Sequence, residues 1–410
     1  MGFVARPSQN CGMKTFLLLL IFSARLEAMT LGEILDLTRE RSHGIELMRE
    51  ESRRQAAQVK QASVLANPSL LMQAGQLSSG SARGDVVDVT LLQPLPWPGK
   101  RQAQQESAQA RQALAQLEVE KSELRLQHEV TALLLRLATL KELKTHALER
   151  RARFAVLKQS LAARPQLSPV QRLEKGLIEN QVRMLERGIA LIEMEHDTLD
   201  GVLAQWLGRP VSLTIDWEKA PELLSLEHWQ GLARTQSPAY RRQLMEKREL
   251  AAELKRSELE ARPDWQLGVN YRQERLAPEN NFYHAVVGLT LPLFDRGQHK
   301  SESLRAEQQL AEARFRRSTW EHDHQLITAF KLAQTQTKLM KTFGLRLIHD
   351  SEKNFREAEQ EFKKGRVDAL TLLATDEQIH TSIDTAFETT MDAWLAYNKL
   401  RLLAGLAPEL

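Results

Sequence analysis

Apolar and polar positions along the chain follow two periods, and the same order of periods occurs twice. In the first half, two stretches have a helical period, Leu31–Met48 and Arg49–Ala66, with a natural break at Ser42–Gly44 near their junction. Two alternating stretches follow them, Ser69–Leu77 and Asp85–Leu95. A period near 3.6 predicts amphipathic helices, whereas alternation predicts strands with one apolar face.

The second half repeats this order of elements. Internal repetition of this kind indicates a duplicated structural unit. The predicted helices of the second half are Ser225–Thr235 and Pro238–Ala261, and the predicted strands are Asp264–Gln273 and Phe282–Leu293.

The two halves match best at the corner where the last strand of each gives way to a long helix. Proline ends the strand at each corner, and glycine supplies backbone freedom before the helix begins. We expect Trp97 to anchor the first corner, either at a membrane interface or by ordinary packing. At an offset of 198 residues the matching corner positions are Pro94 with Pro292, Leu95 with Leu293, and Gly99 with Gly297.

Each corner leads into a helix of about 60 residues, predicted at Gly99–Leu161 and Gln298–Lys363, which is near 90 Å long. After a break, a second helix returns, at Val170–Leu207 and Asp368–Ala404 respectively. Apolar residues recur every seven positions along both long helices, and a sustained heptad repeat requires a supercoiled partner. The seams are Val119, Leu126, Leu133, Leu140, Ala147, Phe154 and Leu161, and then Leu326, Ala333, Met340, Leu347, Ile348, Phe355 and Phe362.

These elements divide the chain into five segments. Residues 1–28 are predicted to be a signal peptide, 29–207 the first repeat and 225–406 the second repeat. Residues 208–224 form a linker with room for a short strand at Val211–Ile215, and 407–410 form a short tail.

The N-terminus has the order of features that a secretory signal shows. Met13 and Lys14 precede the apolar core Thr15–Phe22, which is too short to span a bilayer, and Ala28 offers a cleavage site. The single cysteine, Cys11, precedes this core, so the exported chain would have no disulfide and no lipid anchor on an N-terminal cysteine. No later stretch is apolar enough for a transmembrane helix.

Composition and motifs limit the classes of function that this chain can have. Charged residues make up 27% of the chain with both signs mixed, and the formal net charge is +3, so there is no basic stripe for nucleic acid. No nucleophile elbow, phosphate loop or metal-ligand spacing occurs, and we therefore expect no enzyme activity, cofactor or resident metal. His322 and His324 lie two positions apart on a helix and cannot chelate one ion well, so we interpret them as helix-surface residues.

The pattern of the predicted strands bears on whether they lie in a membrane. In Asp85–Leu95, the residues Val87, Val89 and Leu91 share an apolar face, and Asp88 and Thr90 share a polar one. This pattern suits a half-buried soluble strand or a membrane-barrel strand. Four strands cannot close a membrane barrel, whose smallest known form has eight, and an open edge in lipid leaves backbone groups unsatisfied. Membrane strands would therefore require several chains to share one barrel.

The chain resembles the TolC-type outer-membrane efflux family. The resemblance covers roughly residues 29–406 and rests on the duplicated architecture and on the segments Gln93–Arg101, Pro292–Gln298 and Lys364–Gln378. It implies a homotrimer with a shared twelve-stranded outer-membrane barrel, continued through the periplasm by an α-helical barrel. It also implies docking to a periplasmic adaptor and an inner-membrane pump of the resistance-nodulation-division type. The Gly-Lys-Arg corner looks most like the heavy-metal cation branch; drug efflux and type I protein secretion remain the alternatives.

The resemblance places a periplasmic aperture at the helix breaks near Gly365. Family members often carry acidic residues six and nine positions after this glycine, where this chain has Thr371 and Ala374. The aperture candidates are therefore Asp368, Thr371, Asp376 and Arg366, and Asp368 serves equally well as a helix N-cap. A periplasmic coiled-coil adaptor or scaffold is the alternative function, although it does not explain why both repeats carry a strand pair.

Overall fold

The computed structural model describes residues 29–79, 82–163, 166–209, 213, 215–275, 278–343 and 345–410. The side chains of residues 79, 82, 345–350 and 352 are outside this description. The predicted signal peptide, residues 1–28, lies outside it as well, as does most of the short strand predicted at Val211–Ile215. The described members of that segment, Leu213 and Ile215, are not in a strand.

The predicted fold class is confirmed: the described chain is mostly helical, with one small antiparallel sheet. None of the described helices combines the length and the apolar character needed to cross a bilayer. In chain order the elements are α1 (Leu31–Arg41), α2 (His43–Ala62), β1 (Ser69–Ser79), β2 (Ala82–Leu95), α3 (Lys100–Ala162), α4 (Pro169–Leu207), α5 (Leu226–Gln236), α6 (Pro238–Glu260), β3 (Asp264–Arg275), β4 (Asn280–Thr290), α7 (Gln298–Phe343), α8 (Leu345–Lys363) and α9 (Ala369–Ala404).

The first two helices are divided differently from the prediction. The break falls at Ser42, whose side chain accepts a hydrogen bond from Ile45 N at 3.4 Å and so caps α2. This is the capping chemistry that serine favours. The second helix ends at Ala62, four residues before the predicted Ala66, because Ser63 donates its hydroxyl to the Lys60 carbonyl and closes the last turn.

The four strands form one sheet in the order β1-β2-β3-β4, with every neighbouring pair antiparallel. The central pair, β2 with β3, joins the two predicted repeats, so the sheet is continuous between them. Strand β4 ends at Thr290, three residues before the predicted Leu293. Pro292 has no N–H for a sheet ladder, and Leu293 N donates instead to Leu291 O at 2.9 Å, which turns the chain out of the sheet.

Helix α3 lies at the centre of the helical layer, packed against α2, α4, α6 and α9. The heptad seams are buried in part. Val119, Leu126 and Leu133 of the first seam are half-buried, and the side chains of Leu347 and Ile348 of the second lie outside the described part of the chain. Leu140, Ala147, Phe154 and Leu161 of α3 are all buried. Towards the far ends of the long helices, one apolar core brings together α3, α4, α8 and α9, through residues that include Phe154, Ile178, Phe355 and Leu372. Its residues therefore come from both repeats.

Gly268 of β3 is needed because the neighbouring strand passes too close for a side chain. A Cβ at this position would lie well inside contact distance of the Leu91 carbonyl oxygen and 2.7 Å from Leu92 Cδ2. Backbone cannot move aside as a flexible side chain can, so the Gly268→Ala variant should separate β2 from β3 and lose about 1–3 kcal/mol of stability. The measurement is the midpoint of thermal unfolding of the purified protein.

The matched control is Gly75→Ala in β1, on the same face of the sheet. Its Cβ would meet only Val86 Cγ1 at 3.7 Å, an ordinary contact. Equal midpoints for the two variants would contradict the close approach at Gly268.

Candidate functional site

The sheet has two chemically different faces, which the pairing register places side by side. Val89 lies opposite Met72 of β1 and Tyr271 of β3, and Tyr271 in turn lies opposite Tyr283 of β4. Directly opposed residues share a face. The apolar face formed in this way comprises Leu70, Met72, Ala74, Val87, Val89, Leu91, Trp265, Leu267, Val269, Tyr271, Tyr283, Ala285, Val287 and Leu289.

Aromatic residues mark the two ends of this apolar face. Tyr271 and Tyr283 are in contact near the hairpin ends, with ring centroids 5.2 Å apart and planes tilted by 41°, and the Tyr271 hydroxyl donates to Asn281 Oδ1 at 3.0 Å. Trp265 lies at the opposite end of β3, next to the corner. The six steps from Trp265 to Tyr271 span about 20 Å along the strand, or about 15 Å along the axis at a tilt of about 40°, which fits within the apolar band of about 25 Å on outer-membrane strands.

The other face carries a hydrogen-bonded row of polar side chains. Asn270 lies at its centre, and its amide donates to Thr90 Oγ1 at 2.7 Å and to the Asp88 carboxylate. The Thr90 hydroxyl donates to Asp88 Oδ1 at 3.3 Å. His284 Nδ1 lies 3.3 Å from Asn270 Oδ1. The row therefore links three strands, β2, β3 and β4, at one height of the sheet.

Both edges of the sheet are open. In the part of the chain that the structure describes, β1 pairs only with β2, and β4 pairs only with β3. Each edge presents a row of backbone N–H and C=O groups to which another strand can pair.

The first corner is fastened to the start of β3 by Asp264. Its Oδ1 accepts from Trp97 N at 2.9 Å and also pairs with Lys100 Nζ at 2.9 Å. Lys100 Nζ donates further to the Arg262 carbonyl at 2.7 Å. Gly99 has a φ of 91°, which glycine adopts without strain, and α3 begins directly after it.

The second corner makes the same turn with a different fastening. Gly297 has a φ of 65°, and its N–H donates to Oδ1 of Asp295, two residues earlier, at 2.8 Å. Pro292 lies just beyond the end of β4. Phe294, between them, is 95% exposed. The glycine geometry is therefore repeated in the two corners, while the contacts that hold them differ.

The aperture candidates separate into two groups. Asp368 caps α9, since Oδ1 accepts from Thr371 N at 2.8 Å, and hydrogen bonds from Thr371 lower the pKa of Asp368. Thr371 and Arg366 are exposed beside it, and all three line a groove of about 640 Å³ between the two helix breaks. Arg366 pairs with Glu361 of its own turn at 3.2 Å. Whether these residues border an aperture stays a prediction.

Asp376, the remaining candidate, is buried and paired across the repeats. Its Oδ2 accepts from Nε of Arg150 on α3 at 2.6 Å, and Arg150 also reaches Glu377 Oε2 at 3.1 Å. Arg150 and Asp376 are each only 2% exposed. Burial raises the pKa of Asp376 in spite of the adjacent guanidinium. In a single chain this carboxylate therefore joins α9 to α3.

A second titratable group lies one turn further along α9. His380 Nε2 and Asp384 Oδ2 are 3.2 Å apart, and the His380 ring stacks on His146 of α3 with centroids 5.5 Å apart. His380 and Asp384 line a cavity of about 240 Å³ between α3, α4 and α9. Burial raises the pKa of Asp384 to about 6 and lowers the pKa of His380 to about 4.

Sequence analysis did not identify the residues of this charged cluster. Arg150 and Asp376 are 226 positions apart, and only the relative register of α3 and α9 brings them together. Arg150 lies in a charged stretch with Glu149, Arg151 and Arg153, so no local sequence signal distinguishes it from a solvated surface arginine.

The histidines at 322 and 324 have separate partners. His322 Nε2 contacts Leu403 O at 3.0 Å, Asp323 accepts from the Tyr240 hydroxyl at 2.5 Å, and His324 stacks on Trp320. Across the described residues, no group of three or more His, Cys, Asp or Glu side chains is arranged to hold a metal ion.

The architecture matches solved outer-membrane channels. CusC, from work on folding and transmembrane channel formation, superposes with a TM-score of 0.76 over 97% of this chain and 95% of its own, at 13% identity. The open state of the Neisseria gonorrhoeae MtrE channel superposes with a TM-score of 0.75 over 92% of this chain and 89% of its own, at 14% identity. The Campylobacter jejuni CmeC channel superposes with a TM-score of 0.74 over 99% of this chain and 94% of its own, at 11% identity.

At these identities the likeness establishes the fold, and it confirms at that level the resemblance seen in the sequence. The sequence matches no protein-family model and no curated protein. The chain thus has the fold of outer-membrane channels, with long paired helices continuing a small antiparallel sheet.

Removing Arg150 should destabilise the contact between α3 and α9. The Arg150→Gln variant leaves the buried Asp376 carboxylate without its cation, and such a loss costs about 3–5 kcal/mol. Adding Asp376→Asn removes the stranded charge, so the double variant should lose less stability than the two single losses added together. Thermal unfolding of the three variants measures this.

A surface ion pair provides the control. The side chain of Arg53 is 75% exposed and pairs with Glu50. Such pairs contribute about 0–1 kcal/mol, and Arg53→Gln should change little. A loss at Arg150 no larger than at Arg53 would show that the buried pair does not hold the helices together.

Asp384 should make stability depend on pH. Because its pKa in the folded chain is about 6, above the ordinary 3.8, its contribution is fully present below pH ~4 and is lost as the pH rises through about 6. The Asp384→Asn variant lacks this contribution. Its stability relative to the unmodified protein should therefore decrease as the pH falls from 7 to 4.

His380 acts in the opposite sense, since its lowered pKa gives a contribution that is present above pH ~6.5 and lost as the pH falls through about 4. Because His380 contacts Asp384, the comparison is made with His380→Gln present in both proteins, so that the difference between their unfolding midpoints reports Asp384. Asp36→Asn, at a side chain that is 73% exposed, controls for the loss of any carboxylate. A difference that stays constant with pH would contradict the assignment to Asp384.

Proposed function

We propose that the chain is the outer-membrane exit duct of a tripartite efflux system, in which three copies share one barrel. The observation that carries the proposal is a sheet with one apolar face, one polar face and two open edges. In lipid every edge must be paired, because an unsatisfied backbone group costs several kcal/mol. Pairing β4 of one copy with β1 of the next satisfies both edges at once.

The number of copies follows from the strand count and the fold. Two copies would provide eight strands, the number at which side chains fill the interior of a barrel. Three copies provide twelve strands and leave a passage through the centre. The likeness to solved channels supports a barrel of this kind with a continuous passage.

The helical layer also has two lateral edges that remain uncovered in one chain. Helix α4 exposes an apolar stripe with a seven-residue spacing on one side of the layer. Helix α7 exposes a shorter stripe on the other side. The α4 stripe comprises Val170, Leu177, Met184 and Leu191, and the α7 stripe comprises Leu332 and Leu339. Heptad spacing on both supports coiled-coil packing between neighbouring copies.

Within this duct the protein acts as a passive conduit that spans the outer membrane, with most of the chain in the periplasm. A periplasmic adaptor would dock near the helix breaks, and an inner-membrane resistance-nodulation-division pump would supply the energy. Asp368, Thr371 and Arg366 lie beside the groove at these breaks, which supports them as residues of the periplasmic aperture.

We propose heavy-metal cations as the transported substrate, supported by the resemblance of the Gly99–Arg101 corner. Deleting the gene should sensitise the organism to particular metal cations and leave its tolerance of dyes and detergents unchanged. The opposite pattern would favour drug efflux, and loss of a secreted protein would favour type I secretion. The adaptor or scaffold alternative is disfavoured because both strand pairs belong to one continuous sheet with an apolar face.

The decisive experiment is extraction of the protein from outer membranes with mild detergent. Light scattering should give three times the chain mass, and negative-stain images should show a particle about 125 Å long, from the lengths of α3 and the strands. A soluble monomer in the periplasmic fraction would contradict the duct and favour the scaffold.

The two faces of β2 allow a sharper test. Val89→Arg places a charge on the apolar face, which costs roughly 2–4 kcal/mol near the bilayer midplane. Thr90→Arg, one residue further along, places the same charge on the polar face. The first variant should reduce the amount of trimer in the outer membrane, and the second should not. Equal tolerance of both would show that Val89 does not face lipid.

A further inference from the structure

Asp88 is a carboxylate that side-chain hydrogen bonds position without neutralising its charge. It accepts from the Asn270 amide and from the Thr90 hydroxyl, and both donors are neutral. Among the described residues it forms no ion pair. A carboxylate held only by neutral donors keeps its negative charge available to solvent ions.

The cationic side chain directly opposite Asp88 in the strand pairing already forms an ion pair with another residue. Arg272 lies directly opposite Asp88, but its guanidinium pairs with Glu274 on its own strand at 2.8 Å. The remaining acid near the base of the polar face, Asp264, pairs with Lys100. One uncompensated carboxylate per chain therefore remains in the middle of the polar face.

Three copies would place three such carboxylates at one height of the passage. Twelve strands spaced about 4.8 Å apart and tilted about 40° give a backbone radius of about 12 Å. An aspartate side chain reaches roughly 4 Å inward, which leaves its charge about 8 Å from the axis. The Debye length at physiological ionic strength is also about 8 Å, so every ion on the axis passes within the range of this field.

From this geometry we infer that Asp88 forms a cation-selecting ring inside the strand barrel, separate from the helix breaks. The inference rests on the proposed trimeric duct. Rings of carboxylates favour cations in other pores by the same electrostatic rule. Thr90 and Asn270 are positioning residues for this ring, since they fix the Asp88 carboxylate within the polar row.

The test is the reversal potential of purified trimers in planar bilayers under a tenfold gradient of potassium chloride. Asp88→Asn, which keeps the size and the hydrogen-bonding oxygen, should lower the ratio of potassium to chloride permeability by about twofold or more. Asp88→Lys should move the preference towards chloride. Screening predicts a larger effect when the dilute solution bathes the strand end than when it bathes the helical end.

Asp85→Asn is the matched control. It removes the same charge from the same strand, but Asp85 lies on the opposite face. Equal changes for Asp85→Asn and Asp88→Asn would show a general effect of charge at the barrel rim and overturn the ring. A conducting protein whose reversal potential is unchanged by Asp88→Asn would also overturn it.

The proposed duct fails by a different outcome. If the unmodified protein is monomeric, or inserts as a trimer and carries no current, the duct itself is contradicted. Trimer mass by light scattering for each variant, measured before insertion, separates a change of selectivity from a loss of assembly.

Discussion

In the proposed duct, the rest of the structure depends on the need to pair every backbone group of a sheet placed in lipid. A four-stranded sheet with open edges at β1 and β4 satisfies that need only when copies of the chain join edge to edge. The alternation along the strands fits the same proposal, since one face of a closed barrel would meet lipid and the other would meet the passage. Closing such a barrel would also bring the helices of neighbouring copies side by side, which would cover the exposed stripes on α4 and α7.

Periodic features could be predicted from the sequence, because each repeats a local rule many times. The seam residues Leu140, Ala147 and Phe154 are buried as the heptad predicts, and the two faces of β2 follow from simple alternation. The end of β4 was predicted three residues late. An alternating apolar pattern continued past Thr290, while the missing N–H of Pro292 decided where pairing stopped.

Contacts between distant segments could not be predicted in this way. Arg150 meets Asp376, and Asn270 meets Asp88, only because two separate elements take one register out of several that their patterns allow. Asp376 illustrates the difficulty, since its distance from Gly365 suggested a place at the aperture, whereas the α3–α9 register buries it in an ion pair. Local sequence placed Asp368 more accurately, because an N-cap depends on its own turn alone.

In the proposed trimer, the passage would have a lower symmetry than the backbone around it. Three chains with two similar hairpins each would surround the axis with six nearly equivalent hairpins, yet the position that matches Asp88 in the second half is Val286. A ring built from six identical hairpins would crowd six carboxylates around one circle, about 8 Å apart, where neighbouring negative charges repel one another within one Debye length. Three carboxylates, about 14 Å apart on the same circle, stay beyond one Debye length of each other at physiological salt. With an acid on only one hairpin in two, the carboxylates of the proposed ring would avoid most of this repulsion.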